Sequence, residues 1–442
     1  MMTSLMTPSD QSRPASGVRW LVCALLFFAT TILYFDRQIL SLLKEPLGGL
    51  LHWNDAQYGL VNSAFQLAYG LSLLGFGWII DRFGTKIGYS ITIAGWSLAA
   101  MATSLVSTLG GFFVARIALG FSEGGNFPAA IKAVALWFPK KERALATSIF
   151  NSGANVGAIA APAIVPWLYF HFGWQSAFLV AGFAGLVWLA FWIPWYGIPG
   201  QKKEVSPQEL AWIGSDAEIE QETGSHIPWA SLLGYRQTWA FIVPKFLTDP
   251  VWWFYLFWLP SFFKDSRGLD IKHSWTLLVT IYSIVTVISI AGGWASGYLA
   301  RKGCSINLAR KLGMLLFALF ALPMLAVTHV GNWGAVLLIG LAGGGHQAWS
   351  ATLYTTVSDT FPKRSVGSVI GIGGLAGSVF GACFPYVTGL LTDHFKSIGQ
   401  PTTGYGLLFG FCAIAYLVSL LIMQVLNPKL QPVINLTPAS EK

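Results

Sequence analysis

Charge is what this sequence has least of. Among 442 residues only 27 are basic and 19 acidic, 10% in all, where an ordinary soluble domain holds roughly 25%. So few ionic groups all but exclude a soluble globular enzyme. Cysteine is scarce too: Cys23, Cys304, Cys383 and Cys412 lie in or beside apolar stretches with no metal-ligand spacing. That argues against zinc and disulfide scaffolds and leaves four small packing residues. No nucleophile–base or metal constellation is visible, so neither an enzyme nor a cofactor is expected. The formal charge of +8 sits in small basic groups at helix ends, with no continuous basic face, which removes nucleic acid as a partner.

What the chain has is apolar length. About 20 apolar residues cross a bilayer core, and such runs lie near residues 20–43, 56–80, 86–107, 110–137, 143–170, 174–197, 236–263, 273–299, 308–328, 332–358, 366–390 and 405–427. The expected fold class is all-α and polytopic, with 12 transmembrane helices. The first run is long enough to span and no cleavage site precedes it, so it reads as a retained helix. The only long polar stretch, from about Pro199 to Gly234, carries Glu204, Glu209, Asp216, Glu218, Glu220 and Glu222. It divides the chain into a segment 1–19, a six-helix bundle 20–198, a linker 199–234, a second six-helix bundle 235–428 and a tail 429–442. With both ends inside, eighteen Lys and Arg residues lie on the inner side and only five (Lys44, Lys264, Arg267, Lys272, Lys396) outside, which predicts cytoplasmic termini and linker.

The two bundles echo one another. Trp137-Phe138-Pro139-Lys140 after the fourth span matches Thr360-Phe361-Pro362-Lys363 after the tenth. Gly153 and Gly157 in the fifth span match Gly377 and Gly381 in the eleventh. Small residues four apart let helices approach closely where lipid supplies no hydrophobic drive, and internal repeats of this kind serve alternating-access transporters.

A charge at the bilayer centre costs several kcal/mol, so the ionisable residues inside spans are informative: Asp36 and Arg37, Arg116, Glu123 and Lys132, Lys245 and Asp249. Arg37 and Arg116 each lie about six residues from the outer end of their spans, at similar depth, roughly 9 Å in. Two guanidiniums at one level suit an organic carboxylate between them; the plainer reading is that Arg37 pairs with an acid and staples helices. Glu123 lies about 10 Å deeper than Arg116 along one helix, and a carboxylate among apolar walls can load and release a proton as its surroundings change. Asp36 offers a second such group. Tyr69 presents a hydroxyl in an apolar setting, and His346 or Gln347, after three glycines, can meet sugar-like hydroxyls or the seventh helix. Lys245 and Asp249, spaced i,i+4 before Pro250, read as a structural pair. Asp81 and Arg82, in the joint Gly77-Trp78-Ile79-Ile80-Asp81-Arg82-Phe83-Gly84-Thr85-Lys86, read as a latch on the inner face or as a solvated turn.

That joint resembles the loop signature of the major facilitator superfamily, which implies two pseudo-symmetric six-helix bundles. Within it, Tyr34-Phe35-Asp36-Arg37 and Arg116-Ile117-Ala118-Leu119-Gly120-Phe121-Ser122-Glu123-Gly124 resemble the anion:cation symporter family. The resemblance implies that Arg37, Arg116 and Tyr69 engage a sugar-acid carboxylate and that Asp36 and Glu123 carry proton coupling. Phe246-Leu247-Thr248-Asp249-Pro250, Trp258-Leu259-Pro260, Gly345-His346-Gln347-Ala348 and Ser358-Asp359-Thr360-Phe361 are similar to bacterial hexuronate transporters. Some of these lack an acid matching Asp36 whereas galactonate carriers have one, so an aldonate is the competing substrate, with a non-transporting sensor outside the class. The implied partners are a sugar-acid anion, a proton and the lipid bilayer of the bacterial inner membrane, for a monomer.

Overall fold

The structure, a computed structural model, describes residues 17–215, 229–301, 305–430 and 433. Most of the expected terminal segments 1–19 and 429–442 therefore lies outside the described residues. Before the linker come α1 (Val18–Leu42), α2 (Lys44–Leu51), α3 (Asp55–Thr103), α4 (Leu109–Glu123), α5 (Asn126–Trp137), α6 (Lys140–Phe172) and α7 (Gln175–Trp195). The linker holds α8 (Pro207–Ile213) and α9 (Trp229–Leu232). After it come α10 (Arg236–Arg267), α11 (Ile271–Arg301), α12 (Ile306–Ala321), α13 (Asn332–Thr360), α14 (Lys363–Ser397) and α15 (Pro401–Leu426).

Eight stretches among the described residues are helical, long and apolar enough to cross a membrane. They account for eight of the 12 expected spans. The other four are helical but more polar or interrupted. The run 86–107 is the second limb of α3, which breaks at Gly84 with φ +83°, a left-handed conformation that favours glycine. The run 110–137 divides after Glu123 into α4 and α5. Its Gly124 and Gly125 pass so close to Ser72, Thr92 and Phe76 of α3 that a Cβ at either would clash. α10 contains Lys245, Asp249 and three prolines, and α13 carries the run of glycines before His346 and Gln347. Such helices need protein neighbours in place of lipid.

Local signals set the helix ends. Asn54 and Gln57 form a reciprocal capping box at the start of α3, and Thr108 accepts from the Gly111 N–H at the start of α4, each meeting donors with no intrahelical partner. Pro139 and Pro362 occupy equivalent positions before α6 and α14, with ψ 154° and 148°. α1 has no cap of its own. Its first N–H groups, at Val18 and Arg19, donate to the carboxylate of Glu209 on α8 at 3.2 and 3.1 Å. The Arg19 side chain then joins Glu209 to Glu142 at 3.0 and 2.9 Å.

Packing is pseudo-symmetric. α1 packs on α6 and α7 as α10 packs on α14 and α15; α3 packs on α4 as α11 packs on α13. The two sets meet through α3 with α14 and α6 with α11. Gly157 lets α6 lie against the Thr31 carbonyl and the Tyr34–Phe35 backbone of α1. Gly377 and Gly381 let α14 lie against Asp249 and Trp253 of α10. Large apolar side chains such as Phe28, Leu105, Phe183, Ile290 and Val425 face outward, the surface a lipid-solvated bundle needs.

Gly157→Val puts a branched side chain against backbone that cannot rotate away. It should cost about 1–3 kcal/mol or more, read as a lower thermal midpoint in detergent. Gly374→Ala, where a Cβ meets nothing within 4 Å, should not lower it.

Candidate functional site

The close helix contacts fix the rotation of each charged residue. Gly157 seats α1 just before Asp36 and Arg37, Gly120 seats α4 against the Phe65 carbonyl beside Arg116, and Gly124 seats the end of α4 against Ser72 beside Glu123. The result is four charges with almost no exposure: Asp36 1%, Arg37 1%, Arg116 1% and Glu123 0%.

Arg37 Nε donates to Glu123 Oε2 at 2.6 Å. This pairing of α1 with α4 agrees with the plainer reading of Arg37, and it alters the expected anion clamp, since one of its two arginines is held by an acid of the protein. The other is not. Among the described residues, none of the three guanidinium nitrogens of Arg116 has a hydrogen-bond partner. Neither carboxylate oxygen of Asp36 has one, and Glu123 Oε1 and one terminal nitrogen of Arg37 are unbonded as well. Asp36 feels the charges of Glu123, Arg116 and Arg37, so the four form one electrostatic unit held by a single direct ion pair.

Aromatic rings enclose the unit. Arg37 Cζ lies 4.6 Å from the Tyr69 ring, 5.0 Å from Tyr34, 5.2 Å from Trp253 and 5.6 Å from Phe65. Arg116 Cζ lies 5.7 Å from the same Phe65, so both guanidiniums share one ring face region. Phe65 and Trp253 were missed as site residues. Phe65 lies one helical turn before Tyr69, and that spacing is the signal that could have found it. Trp253 comes from α10, so this wall belongs to both sets of helices.

Lys245 and Asp249 form an ion pair of 2.7 Å, and Lys245 Nζ donates to Tyr354 Oη at 3.0 Å. His346 is buried, its Nδ1 2.8 Å from Tyr416 Oη and its ring stacked on Trp252 at 5.5 Å. Gln347, on the neighbouring face, is half-buried. Arg82 is exposed and lies over the Trp78 and Phe83 rings at 5.3 and 5.9 Å; the Asp81 side chain lies outside the described residues. Lys132 donates to the Ile80 carbonyl at 3.1 Å.

A second charged group, absent from the sequence expectations, lies at the end of the bundle opposite the linker. The Asp55 carboxylate holds Lys44 at 2.7 Å and Lys396 at 2.7 Å, and Lys396 holds Asp265 at 2.6 Å. Tyr405 Oη donates to Asp265 at 2.8 Å, and Asp393 accepts from the Asp55 and Ala56 N–H groups at 2.9 and 2.8 Å. The clasp ties α2 and α3 to α10, α14 and α15. Beside it is a cavity of about 190 Å³ lined in part by Lys44, Glu45, Trp53, Lys264 and Lys396.

Residues 26–385 match the family model of the Major Facilitator Superfamily. The chain belongs to that superfamily. Within it, this chain is 29% identical over 415 residues to the hexuronate transporter of Escherichia coli K12, covering 93% of this chain and 94% of that one. It is 29% identical over 430 residues to a probable galactarate/D-glucarate transporter of the same organism, covering 92% and 96%. A solved D-xylose-proton symporter superposes with a TM-score of 0.72 over 96% of this chain and 100% of that one, at 13% identity, a likeness of fold. Superfamily membership makes this a multi-pass membrane transporter and not an enzyme.

The two arginines should respond differently to replacement. Arg37→Met strands the Glu123 carboxylate in the interior and should destabilise the protein by about 3–5 kcal/mol. Arg116→Met removes a buried charge with no hydrogen bond and should cost less than about 1 kcal/mol. Thermal unfolding of the two variants in detergent separates them.

Proposed function

We propose that this chain carries a sugar acid, a hexuronate such as glucuronate or galacturonate, into the cell together with protons by alternating access. The observation that carries the reading is Arg116, a buried guanidinium with every nitrogen unbonded among the described residues. A carboxylate accepts two of those N–H groups side by side. The relatives named for hexuronate and for galactarate/D-glucarate are carriers of sugar carboxylates, which supports an anion of this class.

In this reading residues 20–198 and 235–428 are the two rocking bundles, and the face bearing the linker and both ends is cytoplasmic, in the inner membrane of a bacterium. The protein acts as a monomer. With the far side open, a proton on Glu123 releases Arg37, which joins Arg116 around the incoming carboxylate. A proton on Asp36 removes the other negative charge facing the substrate. The sugar hydroxyls meet Tyr69 and Gln347, and His346 holds α13 against α10 and α15. The Asp55 clasp closes the far side, as it stands here, and Asp81 with Arg82 latches the cytoplasmic side in the alternate state. The coupling follows from competition: Arg37 binds Glu123 or substrate, and a proton decides which.

Sealed proteoliposomes should accumulate labelled glucuronate when the outside is made acidic, and should not without a pH gradient. Arg116→Met should weaken glucuronate binding at least about 30-fold. Asp36→Asn should retain binding but lose the response to the gradient. Undiminished binding by Arg116→Met overturns its role, and gradient-independent accumulation in the unsubstituted protein overturns proton coupling.

A further inference from the structure

On α10, residues 245, 249, 253 and 257 are spaced by four and share a face. That face looks at the site. Trp253 lies 5.2 Å from the Arg37 guanidinium, and the Phe257 ring stands edge-on to Phe65 at 6.3 Å. Asp249 is one turn from Trp253, roughly 6 Å along the axis, and Lys245 one turn further. Tyr354 is bonded to Lys245. The Asp249 side chain keeps 18% of its surface exposed, although Gly377 of α14 packs against the carboxylate.

We infer that Lys245, Asp249 and Tyr354 form the subsite for the end of the substrate remote from Arg116, and that it selects sugar acids with one carboxylate over those with two. The inference rests on the sugar-acid reading given above. The ammonium of Lys245 has three donors, of which Asp249 and Tyr354 take two. Tyr354 accepts from Lys245 and keeps its own O–H to donate. One N–H and one O–H therefore remain for a ligand oxygen, beside a pair whose net charge is zero.

A hydroxyl, ring or carbonyl oxygen uses these donors without penalty. A second carboxylate does not, because Asp249 repels it from the same position at which Lys245 attracts it. Its desolvation is then uncompensated. Like-charge juxtaposition against the wrong partner is how a site rejects a close analogue. A uronate or aldonate, neutral at the remote end, fits; an aldarate, carboxylate at both ends, is refused.

The test is competition for labelled galacturonate in proteoliposomes holding the full chain. Unlabelled galactonate should compete well and galactarate at least about tenfold less well. Asp249→Asn leaves Lys245 uncompensated and should improve galactarate at least about tenfold relative to galacturonate. Tyr354→Phe should weaken galacturonate and leave galactarate unimproved, which tests the subsite should the Asp249 variant fail to fold. Equal competition by galactarate in the unsubstituted protein, or an unchanged ratio in Asp249→Asn, overturns the inference. Absence of any galacturonate uptake by the unsubstituted protein instead overturns the sugar-acid reading.

Discussion

Four charges far from water, joined by one direct ion pair, are the constraint to which the rest of the bundle answers. Burying a single ion in an apolar medium is costly. Here Arg37 and Glu123 meet part of that cost through each other, while Arg116 and Asp36 have no hydrogen-bond partner among the described residues. Folding must supply the difference from tight helix contacts elsewhere, and the glycines at 120, 124 and 157 lie beside these residues. The arrangement is under-satisfied by design of its geometry. In the proposed reading, a carboxylate and protons complete it.

The state of the structure follows from where the two sets of helices touch. Among the described residues, the hydrogen bonds and ion pairs that join them gather at the far face, around Asp55, Lys396, Asp393 and the Tyr58 contact with the Phe257 carbonyl. The site itself is filled by side chains, with Trp253 over Arg37. In the proposed reading, a carboxylate that reaches Arg37 contends with Trp253 for that guanidinium, so displacement of α10 would accompany binding. Binding there would act on the contact between the two sets, the one that alternating access changes.

Much of this was legible in the sequence because it depends on local chemistry. Gly84 marks the break in α3, Pro139 and Pro362 mark equivalent helix starts, and the charged residues within apolar runs identify the site's composition. What was not legible depends on how one helix is turned against another. Nothing along the chain says that Glu123 reaches Arg37 in preference to Asp36 or Asn126. The division of the fourth span escaped because Gly124 and Gly125 lie in an otherwise apolar run, and their closeness to Ser72 and Thr92 depends on how α3 packs against it. The far-face clasp was invisible for another reason. Counting basic residues assigns orientation, and the acids Asp55 and Asp265 that hold Lys44 and Lys396 do not enter such a count.

Glu209 changes where the first bundle ends. A carboxylate beyond the last long helix of that bundle supplies the hydrogen bonds missing at the head of its first one, so α8 belongs energetically to the helices before it. A gene cut into two separately expressed fragments would therefore keep the earlier piece self-sufficient only if the cut falls after Ile213, and a cut at Pro199 would leave α1 frayed.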